Sequence, residues 1–170
     1  EDIILNQLYK MTPLQTTFAV NLLALVNGRP QTLSIKEAFR HFLEFRKEVV
    51  IHRAIYDLAR AEERAHILEG FMVALDNLDE IIALIRASPD TAGAREQLME
   101  RFELSQRQAQ AILEMRLRAL TAMERQKIID ELETLRVTIA DLKDLLASDS
   151  RILAVVIDEV REVVESFGDE

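Results

Sequence analysis

The sequence predicts a mainly α fold: a long antiparallel coiled-coil arm with a small helical knob at its tip, plus a short β-hairpin near the N-terminus. Three observations carry that expectation. Of 170 residues, 49% are hydrophobic, only 5% are aromatic, 30% are charged, and Gly and Pro number 4 and 3. Aliphatic bulk, abundant charge and few breakers favour long helices with packed seams over sheet. Between Ser34 and Ala87 there is no proline and a single glycine, Gly70, so a helix is free to run. Apolar residues also recur at heptad spacing before and after a central region rich in helix-capping residues.

Residues 1–33 differ in pattern from the rest of the chain. In TTFAVNLLALVNGRPQTL, Asn27-Gly28 lies between apolar runs, and these two residue types best tolerate the positive φ angles of a two-residue hairpin turn. Strands are expected over Val20 to Val26 and Arg29 to Leu33. So small a hairpin is marginal alone, and it is read as part of a larger sheet.

Ser34 and Glu37 then form a capping box, in which hydroxyl and carboxylate each satisfy an orphan amide at a helix start. The outbound helix is expected over 34–87, about 53 residues or roughly 80 Å at 1.5 Å per residue. Ile51, Leu58, Ala65 and Met72 recur every seven residues, as do Ala54, Ala61, Leu68, Leu75 and Ile82. Together they define an a/d seam. Ser88-Pro89-Asp90 ends this helix, because proline disfavours helical geometry in the residue before it, and Asp90 or Thr91 caps a short helix to about Arg101.

Residues 88–121 read as the knob. Ser105 with Gln108 makes a second capping box and Thr121 with Glu124 a third. The intervening QAQAILEMRLRAL, wound as a helix, places Ile112, Leu113, Leu117, Leu120 and Met123 on one side with Ala109 and Ala119, and Met115 widens the apolar arc to roughly 200°. A one-sided helix needs a stripe of about 100°. The surplus either packs into a miniature core with Leu98, Met99, Phe102 and Leu104 or meets another molecule. Residues 122–170 are expected to return along the outbound helix. Ile128, Leu132, Leu135, Ile139, Leu142 and Leu146 alternate steps of four and three, and the rhythm resumes in phase as Leu153, Val156, Val160, Val163 and Phe167 after a break at Ser148-Asp149-Ser150. Gly168 reads as a terminal cap.

Several function classes are disfavoured. Zero cysteines exclude disulfide and thiolate chemistry, and neither a signal peptide nor an apolar run of about 18 residues is present, so a cytoplasmic location with no membrane partner is expected. A net charge of −9 makes the chain a poor nucleic-acid wrapper. Arg46, Lys47, Arg53, Arg60 and Arg64 alternate with Glu44, Glu48, Asp57, Glu62 and Glu63, the pattern of a solvated face with i to i+4 pairs. His41, His52 and His66 are too widely spaced to offer paired metal ligands on one helical face. Gly70 is costly in a helix interior, so it permits close approach of a return helix or acts as a hinge. Clustered carboxylates such as Glu131 and Glu133 would repel phosphates.

The blocks QLYKMTPLQTTFAVNLLALVNGRP, FLEFRKEVVIHR, AEERAHILEGFMVALDNLDEIIALIR and LSQRQAQAILEMRLRALTAMER together resemble the A subunit of bacterial DNA gyrase, a type IIA DNA topoisomerase. The A subunit of topoisomerase IV is the nearest alternative. The resemblance covers essentially the whole chain. It implies that 1–33 is the edge of the tower domain, 34–87 and 122–170 the arm, and 88–121 the knob through which two subunits pair at the exit gate, or C-gate. Ile112, Met115, Leu117, Leu120 and Met123 would then share knob-core and dimer contacts. The arm seam would comprise Leu58, Ala65, Leu68, Met72, Leu75, Ile82, Leu132, Leu135, Ile139, Leu142, Leu153, Val156 and Val160.

The implied partners are a second copy through the knob and, in the intact enzyme, DNA and the gyrase B subunit. The ATP and magnesium of that enzyme are used through other regions, so no cofactor is expected here. The family's catalytic tyrosine follows an arginine upstream of this region. Here Tyr9 follows Leu8 and Tyr56 follows Ile55, so no activity is expected of this stretch alone. A competing reading is a coiled-coil binding module that docks DNA or protein without pairing with itself.

Overall fold

The computed structural model describes residues 2–17, 19–115 and 122–168. Their element order is α1 (Asp2–Met11), β1 (Leu23–Val26), β2 (Arg29–Thr32), α2 (Ile35–Asp76), α3 (Leu78–Ala87), α4 (Thr91–Phe102), α5 (Gln106–Leu113), α6 (Ala122–Ala147) and α7 (Asp149–Phe167). The chain divides into two compact units, Glu1–Arg46 and Lys47–Glu170, and α2 contributes residues to both.

In the first unit, β1 and β2 pair antiparallel with Val26 opposite Arg29 and Leu23 opposite Thr32. Asn27 at φ 51° and Gly28 at φ 76° occupy the turn, the positive pair a two-residue hairpin requires. The strands are shorter than the expected Val20 to Val26 and Arg29 to Leu33. Helix α1 is not among the expected elements, and none of its residues is buried. Ser34 and Glu37 form the expected cap: the Ser34 N–H donates to Glu37 Oε2 at 2.8 Å and the Glu37 N–H to Ser34 Oγ at 3.3 Å. The Ser34 N–H, and after it the Ser34 hydroxyl donating to the same Glu37 Oε2 at 2.8 Å, hold the Glu37 carboxyl below the usual carboxylate range.

The second unit is built on α2 and α6. Ala65, Leu68 and Leu132 form a buried cluster flanked by Met72, Ile128, Leu135 and Ile139, with Leu68 wholly out of water. Glu62 pairs with Lys143 at 2.7 Å and Asp76 with Arg125 at 2.6 Å. Numbers rise along α2 as they fall along α6, so the two helices run antiparallel.

Two expectations about the helices are corrected. The 34–87 helix is not continuous, because Asn77 leaves helical geometry at φ −121° and ψ 34° and separates α2 from α3. Its side-chain Nδ2 donates to the Val73 carbonyl at 2.9 Å, a local bond that competes with the helical ladder. The 122–170 segment does not return as one line either. Ser148 is extended at φ −128° and ψ 109°, and α7 doubles back against α6. Arg151 bonds both Asp141 and Asp144, ten and seven residues behind it, a reach that a continuous helix of about 1.5 Å per residue does not allow. Lys47 meets Asp149 at 2.9 Å and Arg53 meets Glu159 at 2.5 Å, so α7 runs in the sense of α2 rather than opposing it.

The seam therefore ends differently from the expectation. Val156 packs fully buried on Val50 beside Ile152, and Leu145 reaches the same cluster from α6. Leu58, Leu142 and Leu153 are half-buried and Leu75 is buried, but Val160, Val163 and Phe167 are exposed. Heptad phase counts residues and does not register a change of direction at an extended one. Gly168 closes α7, donating its N–H to the Val164 carbonyl at 2.8 Å.

Helices α3, α4 and α5 make the knob, whose core joins Ala74 of α2 to Ile81, Leu84, Leu98, Leu104, Ala109 and Ile112. Asp90 caps α4 by accepting from the Gly93 N–H at 2.7 Å, and Glu103 ends it in the left-handed region at φ 52°. Leu98 has no exposed surface. Truncating it to alanine is expected to cost about 2–5 kcal/mol, whereas Val160→Ala stays within about 0.5 kcal/mol. Chemical denaturation of both variants checks the contrast.

Candidate functional site

The knob presents two features that bear on function: an apolar groove and a buried polar joint to the arm. The groove, about 130 Å³, is lined by Leu78, Ile81, Ile82 and Ile85 of α3, by Ile112 and Leu113 of α5, and by Met115 beyond it. Helix α3 is strongly amphipathic, so one face fills the core while a neighbouring edge stays open. Helix α5 stops at Leu113, and the Met115 N–H returns to the Ile112 carbonyl at 3.1 Å, holding Met115 over the groove.

The residues expected at the knob separate here. Ile112 is 6% exposed and belongs to the core, whereas Met115 is half-buried on the groove. Leu117 and Leu120 lie outside the described residues, as does Thr121 of the third capping box. Met123, on the first turn of α6, is 68% exposed. Heptad spacing assigns Ile82 to the arm seam, but it lines the groove instead. The break at Asn77 accounts for this, since the heptad count runs through it. Ile81, Leu84 and Ile85 escape the sequence reading for the same reason: their amphipathic pattern becomes legible once α3 is read as a helix of its own.

The polar joint also carries a correction. Gly70, expected to face a return helix or to serve as a hinge, faces the knob helix α5 rather than a return helix. A Cβ built on it would lie 2.7 Å from Gln108 Cγ and 2.8 Å from Gln108 Cβ, so the glycine makes room for the knob helix α5. Gln108, the N3 residue of the second capping box, is 8% exposed and lies across α2. Its Oε1 accepts from the Ser105 N–H at 2.9 Å and its Nε2 donates to the His66 carbonyl at 2.8 Å. The His66 ring completes the joint, with Nε2 2.7 Å from Ser105 Oγ. The capping box announces Gln108 as a cap, but no local signal announces its contact across 42 residues.

Along the arm, Lys47, Arg53 and Arg64 of α2 do not pair with their own helix neighbours as expected. They cross to the partner helices instead. Arg64 donates from Nε and from its terminal nitrogen to both oxygens of Glu131 at 2.7 and 2.9 Å, Glu69 meets Arg136 at 3.1 Å, and Lys47 and Arg53 reach α7. The fork on Glu131 holds its carboxyl below the usual range, principally through the hydrogen bond from Arg64. Glu131 is therefore not a free carboxylate of the sort expected to repel phosphates. Arg60 lies over the Tyr56 ring at 5.7 Å from its centroid, and Tyr9 is exposed.

The second unit is thus a helical module, an arm whose end carries a knob with an open apolar groove. Sequence similarity gives that module a family. Residues 1–161 match the family model for the A subunit of DNA gyrase/topoisomerase IV, and the chain belongs to that family. Over 168 residues it is 54% identical to the DNA gyrase A subunit of Staphylococcus epidermidis, covering 99% of this chain and 19% of that protein. It is 50% identical over 169 residues to the DNA gyrase A subunit of Clostridium acetobutylicum, covering 99% and 20%. The DNA gyrase A subunit of Leptospira biflexa is also 50% identical, over 166 residues. The chain thus spans about a fifth of the length of these relatives. No helix among the described residues is long and apolar enough to cross a membrane.

Gly70→Ala is expected to destabilise the chain by about 1–3 kcal/mol through the clash with Gln108, despite a helix propensity that alone favours alanine by about 1 kcal/mol; thermal melting gives the sign. Glu131→Gln is expected to cost about 0.5 kcal/mol at pH 7, the scale of an exposed pair. A lowered carboxyl contributes fully above its unfolded value of about 4.3 and loses that contribution as pH falls through the folded value. The stability gap between parent and Glu131→Gln should therefore close in acid, as pH-resolved urea titrations will show.

Proposed function

We propose that this stretch is the exit-gate, or C-gate, dimerisation module of a DNA gyrase A subunit. In this reading residues 1–33 are the edge of the tower domain, residues 34–76 and 122–170 make the arm, and residues 88–121 together with α3 are the knob that meets its copy across a two-fold axis. The intact enzyme passes one DNA duplex through a transient double-strand break with ATP and magnesium bound elsewhere, and works with the gyrase B subunit. Its closed gate keeps two subunits joined while the DNA is cut, then parts to release the transported duplex. The stretch itself carries no catalytic tyrosine and binds no cofactor, and it works in the cytoplasm.

The observation that carries the proposal is the uncovered apolar surface on both sides of residues 116–121, namely the groove ending at Met115 and the 68% exposed Met123. A self-complementary interface needs such anchors. Met115, Leu117, Leu120 and Met123 supply the contacts, supported from behind by Ile112. The relatives support gyrase over topoisomerase IV, since those described above are A subunits of DNA gyrase. A DNA-docking arm gains little support, because Lys47, Arg53 and Arg64 already engage carboxylates.

Light scattering across a dilution series is expected to show a dimer for the parent chain. Met123→Glu is expected to weaken that dimer by roughly 2 kcal/mol or more, the loss of a hot-spot contact, with circular dichroism unchanged. A parent chain that remains monomeric at all concentrations, while binding DNA with steep salt dependence, contradicts the proposal and favours the docking arm.

A further inference from the structure

The joint between α2 and α5 contains an element that gate pairing does not use. His66 and Gly70 stand one helical turn apart on α2, and the Ser105–Gln108 capping box lies across both. The Gln108 carboxamide has only one satisfactory orientation. Its oxygen accepts from the Ser105 N–H at 2.9 Å and its nitrogen donates to the His66 carbonyl at 2.8 Å. Turning the amide over would set donor against donor at Ser105 and acceptor against acceptor at His66.

That orientation points an amide N–H at the His66 ring, with Gln108 Nε2 3.4 Å from Nδ1. Nδ1 must therefore offer a lone pair. The ring proton sits on Nε2 and is donated to Ser105 Oγ at 2.7 Å, an oxygen that also accepts from the Gln108 N–H at 3.2 Å. A second proton on the ring would place N–H against N–H at Gln108, and the buried carboxamide has no alternative pose.

We propose that His66, Ser105 and Gln108 form a proton-sensitive latch, which holds the knob helix α5 on the arm helix α2 while the imidazole is neutral and loosens it when the imidazole is charged. The charged groups around it are committed elsewhere. On α2, Glu62 pairs with Lys143 of α6, Glu63 with Arg107 of α5, and Glu69 with Arg136 of α6. The carboxylate of Glu103, in the turn before α5, is instead exposed to water. Among the described residues the ring's own partners are the uncharged Ser105 and Gln108. The latch stands whether or not two knobs meet.

Amide hydrogen exchange on the chain, corrected for the intrinsic rate, tests it between about pH 8 and pH 5.5, the span over which histidines charge. Protection of Gln108 to Leu113 should fall roughly fivefold or more relative to Leu132 to Ile139, in step with the His66 ring resonances. Ring 15N shifts at the upper pH should show the proton on Nε2. In His66→Asn the pH dependence should vanish, whether or not asparagine holds α5 as firmly, while His41→Asn and His52→Asn should keep it. Repeating the exchange in Met123→Glu separates unlatching from any change in self-association. Unchanged protection in the parent, a ring proton on Nδ1, a pH dependence that survives His66→Asn, or one removed by either control overturns the latch.

Discussion

The packing of α2 against α6 around Leu68 is the constraint on which the second unit rests. Leu68 loses all contact with water between Ala65 and Leu132, and the aliphatic neighbours on either side extend that strip. Burying a leucine of this kind contributes about 2 kcal/mol, and the buried Ala54 and Ala61 continue the same face of α2 toward its start. The ion pairs along its edges are exposed and add little energy individually, but each joins one residue of α2 to one of α6 and so favours a single register. Where the strip ends, α2 gives way to the knob.

The knob depends on that same helix. Ala74, two residues before α2 ends at Asp76, is buried with α3, α4 and α5, and Gly70 one turn earlier admits Gln108. A knob seated on the arm by small residues and one buried amide transmits the arm's position to the groove, because the contacts are close-packed rather than compliant. The groove residues Ile81 and Ile112 belong to that same packed core.

Much of this was legible in the residues. Asn27-Gly28, Ser34 with Glu37, Asp90 and Ser105 with Gln108 each mark the turn or cap where it stands, since these signals are local and complete within four residues. The seam at Ala65, Leu68, Leu132, Leu135 and Ile139 was legible because heptad spacing on two helices implies a shared strip. The failures share a cause. Asn77 and Ser148 redirect the chain without proline or glycine, and periodicity read across them misplaces Ile82 and extends the seam to Val160. The joint at His66 connects segments 42 residues apart through a single carboxamide, and no spacing rule anticipates that contact.

The antiparallel register of α2 and α6 is tested most directly by spin-label distances, which the absence of native cysteine makes simple to place. Labels at Glu62 with Lys143 and at Asp76 with Arg125 should both give short separations, within about 20 Å for helices packed roughly 10 Å apart. The crossed pair Glu62 with Arg125 should be longer, because residues 62 and 76 stand about 21 Å apart along the helix. A short crossed pair, or two long direct pairs, would contradict the arm on which the knob, its groove and the gate reading all depend.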